Sequence, residues 1–123
     1  MSDTEDTTPD RTVTLPRGYP DDNGDHHREA RLRVPTLADE IGAEEDCREA
    51  GYSRENSTAF QAAFVARCLV RLGDIADPTL KHLLRMRRGE VAGLRERLDA
   101  LESYDLEKAR EGEGNPATID APS

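Results

Sequence analysis

Residues 58–72, reading Thr-Ala-Phe-Gln-Ala-Ala-Phe-Val-Ala-Arg-Cys-Leu-Val-Arg-Leu, are the most apolar run in a chain whose charged residues make up 35% of its length. Any fold must bury them. Phe60, Phe64, Cys68 and Leu72 recur every four residues, and Ala62, Val65 and Leu69 fill the adjoining stripe. That apolar face is too wide for a helix lying on a surface. The spacing therefore predicts a central helix over 58–72, about 22 Å long at 1.5 Å per residue. Ser57 is the expected N-cap and Gly73 the left-handed stop.

Composition limits what such a helix can organise. A chain of 123 residues has room for one domain with a small core. There is no Trp and aromatics are 4%, which argues against extended stacking on bases or sugars. The net charge of −9, from 26 acidic and 17 basic residues, opposes free nucleic acid and anionic membrane. Cys47 and Cys68 form neither a CxxC pair nor a disulfide framework, so a reducing cytoplasm is the expected compartment. No apolar run approaches 18 residues, and no signal-peptide pattern opens the chain.

In chain order, residues 1–11 read as a disordered acidic arm, 12–110 as a single domain and 111–123 as a flexible tail. The expected fold is α+β, mainly α: an N-terminal hairpin over 12–34, then a small bundle of about four helices near 37–47, 58–72, 78–88 and 90–104. Alternating stretches at 12–15 and 30–34 flank Asn23-Gly24. With those two as the turn, Val13 faces Val34 and Leu15 faces Leu32. The tip Asp21, Asp22, Asn23, Gly24, Asp25, His26, His27 is rich in potential metal ligands, but it lacks calcium-loop spacing and reads as a solvated turn.

Thr36 caps the helix at 37–47, with Asp39 at its third position. Leu37, Ala38 and Ile41 form its thin buried stripe, and Glu40, Glu44, Glu45 and Asp46 its acidic outer face. Asp77 caps and Pro78 opens the helix at 78–88, where Leu80, Leu83 and Leu84 face inward. In the last helix Val91, Leu94, Leu98 and Leu101 form a seam able to pack on a partner helix. Between Lys81 and Arg97 there are six Lys or Arg against two Glu, which raises a helix-turn-helix DNA reader as one alternative. No nucleophile with a base, phosphate-cradling glycine loop or metal-ligand spacing is present, so no enzyme, metal or cofactor is expected.

The segment Leu32-Arg33-Val34-Pro35-Thr36-Leu37-Ala38-Asp39, within residues 30–44, resembles the tail assembly chaperones of contractile-tailed phages of the Mu type. Those proteins carry a strand ending in Leu-Arg-x-Pro-Thr-x-x-Asp before a mainly helical domain, and the likeness spans about residues 12–104. Met86-Arg87-Arg88-Gly89-Glu90 departs from the Leu-Asp-x-x-Asp that often opens the family's last helix. The resemblance implies a cytoplasmic chaperone that binds the tape measure protein before tube assembly and is absent from the finished particle. The tail tube protein and self-association are further partners to consider, and a structural component of a tail-like particle is the main alternative. The residues expected to border or support a partner-helix groove are Phe60, Val65, Leu69, Leu84, Leu94, Leu98 and Leu101. Two apolar stripes of this width exceed what a small domain easily buries.

Overall fold

The computed structural model describes residues 11–113. The fold is α+β and mainly helical. A hairpin of β1 (Thr12–Pro20) and β2 (His26–Leu32) is followed by α1 (Leu37–Glu49) and α2 (Ser57–Arg67). The chain then returns to the sheet as β3 (Leu69–Leu72) and β4 (Ile75–Ala76), and it ends in α3 (Leu80–Leu83) and α4 (Arg88–Glu113). All neighbours in the order β1-β2-β3-β4 are antiparallel. The sheet thus has four strands where the sequence pattern suggested a hairpin alone.

The hairpin forms, in a different register. Tyr19 pairs with His27 and Pro20 with His26. The Asp21 amide donates to the Asp25 carbonyl at 2.9 Å and the Gly24 amide to the Asp21 carbonyl at 3.1 Å. With Gly24 at φ +88°, this is a type I turn closed by a left-handed residue, a loop one residue longer than Asn23-Gly24. The Asp21 carboxylate sets that length by accepting from the Asn23 and Asp25 amides at 2.9 and 3.0 Å. Further back the register shifts again, and Val13 lies opposite Ala30, not Val34. Leu15 falls in the irregular stretch between Thr14 and Tyr19 without a strand partner, and Val34 lies beyond β2. The expected Val13–Val34 and Leu15–Leu32 pairs are therefore not made, although Leu15 and Leu32 both reach the core.

The bulge in β1 has a physical cause at each end. Pro16 has no amide to give the ladder, and Gly18 sits at φ +78° with its backbone against β2, where an added Cβ would stand 2.1 Å from the His27 carbonyl oxygen. The amides of Arg17 and Gly18, turned out of the ladder, donate to the two carboxylate oxygens of Glu90 at 2.7 and 2.8 Å. Glu90 is buried in the first turn of α4, so the edge strand is fastened to the last helix.

Residues 58–72 are not one helix. Asn56, not Ser57, caps α2, its side chain accepting from the Ala59 amide at 3.0 Å, and the helix stops at Arg67. Leu69–Leu72 pairs with β2, joining Leu32 to Leu69, Arg31 to Arg71 and Ala30 to Leu72. The extra residue, Val70, is a bulge that puts Leu69 and Leu72 on the same buried face. Gly73, at φ +61°, turns β3 into β4 in place of ending a helix.

The helix expected at 78–88 is the single turn Leu80–Leu83, capped by Thr79, not Asp77. The last helix begins at Arg88 and runs 26 residues, past the expected end near 104 and into the first residues of the segment expected to be a flexible tail. The rest of that tail, and all but Arg11 of the acidic arm, lie outside the described residues.

In α1 the buried stripe is Asp39, Gly42, Ala43 and Cys47. Leu37 is 70% and Ile41 55% exposed, and Ala38 is exposed as well. The expected stripe is rotated away because polar contacts fix the helix. Arg33 grips Asp39 from the strand end, and Arg67 grips Asp46 at 2.8 and 2.9 Å from α2. The Arg67 guanidinium lies over Gly42, where a Cβ would come within 2.5 Å of it.

The main core gathers Leu15, Leu32 and Leu72 of the sheet, Val65 of α2 and Leu94, Leu98 and Leu101 of α4. Each such side chain contributes on the order of 1.5–3 kcal/mol when removed from water. A smaller cluster of Ala43, Cys47, Ala59, Ala63 and Leu80 joins α1, α2 and α3.

A candidate partner groove between two helices

The residues singled out for a partner interface divide by burial. Val65, Leu69, Leu94, Leu98 and Leu101 are between 0% and 3% exposed and belong to the main core. Phe60 is half-buried against the smaller cluster and stacks on Phe64 at 6.0 Å between centroids. Leu84 is 48% exposed. The five buried residues hold α2, the sheet and α4 together, and Leu84 stands between two cavities, lining both.

The larger, a groove, holds about 980 Å³ and is partly open to solvent. One wall is the outer face of α2, through Thr58, Ala59, Gln61 and Ala62. The other is the first two turns of α4, through Arg88, Gly89, Val91, Ala92 and Arg95. Leu83, Leu84 and Met86 complete the lining from α3 and the turn after it, with Tyr52 and Asn56 from the α1–α2 loop. Small residues on both walls leave room for another backbone to approach. Arg95 joins the walls: it donates to Gln61 Oε1 at 2.5 Å, lies 4.8 Å from the Phe64 ring centroid and reaches Asp99 at 3.1 Å.

The α4 wall was legible as a second row on that helix. Arg88, Ala92 and Arg95 follow four-and-three spacing beside the Val91, Leu94, Leu98, Leu101 seam, so a helix whose seam is internal shows this row to its neighbour's flank. The seam reading alone overlooks it. A second, smaller cavity of about 450 Å³ lies between the ends of α1 and α2 and the β4–α3 connection, lined by Asp46, Glu49, Arg67, Asp77 and Lys81 among others.

The polar clusters are structural in geometry. Arg33 clasps Asp39 through two hydrogen bonds of 2.6 and 2.8 Å, while Asp39 also accepts from the Thr36 amide at 2.7 Å. The Arg33 guanidinium and these donors hold the Asp39 carboxyl down at about 2. The neighbouring Cys68 thiol, 3.9 Å from Asp39, is pushed up to about 12 by burial and by that negative charge. A thiol so disfavoured as thiolate is a poor nucleophile. At the hairpin tip His27 binds Asp21 through Nε2 at 2.8 Å and accepts the Asp74 amide at Nδ1 at 3.2 Å, tying the β1–β2 turn to the β3–β4 turn.

Among the described residues no group of three or more His, Cys, Asp or Glu side chains is arranged to hold a metal ion, and no helix is long and apolar enough to cross a membrane. The helix-turn-helix alternative loses its geometry: β3 and β4 stand between α2 and α3, and α3 is a single turn. Of the basic run, Arg85 is engaged with Asp22 and Tyr19. No family model, no curated protein and no solved structure matches the chain.

Proposed function

We propose that this protein is a tail assembly chaperone that seats an amphipathic helix of the tape measure protein in the groove between α2 and α4. It keeps that long helical partner dispersed in the host cytoplasm until the tail tube forms around it, and it is absent from the finished particle. The observation that supports this reading most is the groove itself, an apolar channel walled by two helices with a half-exposed Leu84 at its lining. Helix-in-groove recognition needs that shape and chemistry. The net charge of −9 favours a soluble complex over coalescence of exposed apolar helices.

Co-expression with the tape measure protein tests the reading. The wild type raises the partner's soluble fraction and co-purifies with it, whereas Ala92→Trp and Leu84→Asp, both at exposed positions of the groove lining, stay folded and lose the partner. Retention of the partner by both folded variants places the contact elsewhere. A wild type that ignores the tape measure protein and sediments with finished particles replaces the chaperone with a structural tail component.

A further inference from the structure

The chemistry of the groove lining is unlike that of the chain as a whole. Acidic residues outnumber basic ones 26 to 17, and the smaller cavity carries Asp46, Glu49 and Asp77 in its lining. The larger groove is lined by two arginines and no carboxylate. Both arginines start from α4, seven residues or roughly 10 Å apart along its axis, and the Arg95 guanidinium reaches across to Gln61 and the Phe64 ring of α2. The α2 wall opposite offers only the neutral polar groups of Thr58 and Gln61 beside its alanines. Arg88 is exposed at the start of α4. Arg95 is half-buried, and besides its Gln61 and Phe64 contacts it pairs with the more exposed Asp99 at 3.1 Å.

Resting on the reading of this groove as a helix-binding site, we infer that its occupant is an amphipathic helix whose apolar stripe is flanked by carboxylates about seven residues apart. The apolar stripe lies on Ala62, Leu84, Val91 and Ala92, and the acidic flank faces Arg88 and Arg95. The Asp99 contact at the edge of the groove is the pair an incoming carboxylate competes with.

The test uses the full chain and two labelled model helices of identical apolar stripe, one with Glu and one with Lys at the two flanking positions, read by fluorescence anisotropy. The Glu helix is expected to bind the wild type on the order of five-fold more tightly than the Lys helix at low salt, a margin that two partly exposed ion pairs supply and that shrinks at 0.5 M salt. In Arg88→Glu and in Ala92→Glu, both at exposed helix positions, the preference falls or reverses. Equal binding of the two helices to the wild type, with loss of both in folded Ala92→Trp, overturns the charge inference and leaves the groove reading standing. Binding of both helices undiminished in folded Ala92→Trp overturns both. Preference for the Lys helix overturns the inference outright.

Discussion

Replacing Glu90 gives the most direct measure of how the two ends of this fold are joined. The carboxylate is 8% exposed and accepts from the Arg17 and Gly18 amides at 2.7 and 2.8 Å. It also stands in the first turn of α4, where a negative charge is favoured by the helix dipole. In Glu90→Ala two backbone donors lose a charged acceptor, and hydrogen bonds to charged groups contribute about 1.5–3 kcal/mol each. Water entering at Arg17, the outer of the two, recovers part of that, so the net loss is about 3 kcal/mol. For a domain of this size that lowers Tm by roughly 10–20 °C. Glu90→Gln keeps one acceptor oxygen but turns an NH₂ toward the second amide, and it is expected to lose about 2 kcal/mol. Urea denaturation followed by circular dichroism gives the stabilities, and amide exchange at Gly18 reports whether the loss occurs at the bulge. A Glu90→Ala variant within about 0.5 kcal/mol of wild type, or one in which Gly18 exchange is unchanged, refutes the account of the bulge as a strand held by a helix.

Four further outcomes follow from the same geometry. Because the folded Asp39 carboxyl titrates at about 2, below its unfolded value, its stabilisation is present above pH 4 and lost as pH falls from 4 through 2. Acid titration of wild type against Asp39→Asn should show a difference of about 1–2 kcal/mol, reduced because the Arg33 side chain is 40% exposed, that vanishes near pH 2. Gly18→Ala strains a residue at positive φ and drives a methyl into the His27 carbonyl, so it is expected to destabilise by more than 1 kcal/mol, read by thermal melting; a neutral result removes the close approach. Cys47 and Cys68 are both buried, and Cys68 is held as the thiol, so iodoacetamide at pH 8 should modify neither until denaturant is added, as mass spectrometry would show. Leu98→Asp buries a charge in the main core and should unfold the domain, while Leu84→Asp should shift Tm by only a few degrees; equal effects in circular dichroism melts would mean that the burial assignment is wrong.

The capped start of α1 was legible because Pro35-Thr36-Leu37-Ala38-Asp39 carries a local instruction: the Thr36 amide and the Asp39 carboxylate need no distant partner. The seam of α4 was legible too, since Leu94, Leu98 and Leu101 keep a helical period and are all buried. What misled was the bulge at Val70. A strand with one extra residue places Leu69 and Leu72 on one face three positions apart, the same interval a helix uses, so periodicity could not tell β3 from a continuation of α2. The rotation of α1 was hidden for a different reason. Its buried face is made of Asp39, Gly42 and Ala43 under two arginines, and a search for apolar stripes picks Leu37 and Ile41 instead. The groove was only half visible, since a cavity between α2 and α4 depends on how far two helices stand apart, which no single stretch of sequence encodes.

The link between Glu90 and Gly18 spans 72 residues, and it gives the chain a timetable. As the protein leaves the ribosome, β1 emerges first with a bulge whose outward amides have no intrachain acceptor until the start of α4 has been made. Every other strand contact of β1 is to β2, its immediate neighbour, so an early hairpin is left with a loose edge able to pair with other nascent chains. Closing that edge is the task of a residue translated near the end of the domain, which makes the last helix the step that converts a sticky intermediate into a finished protein.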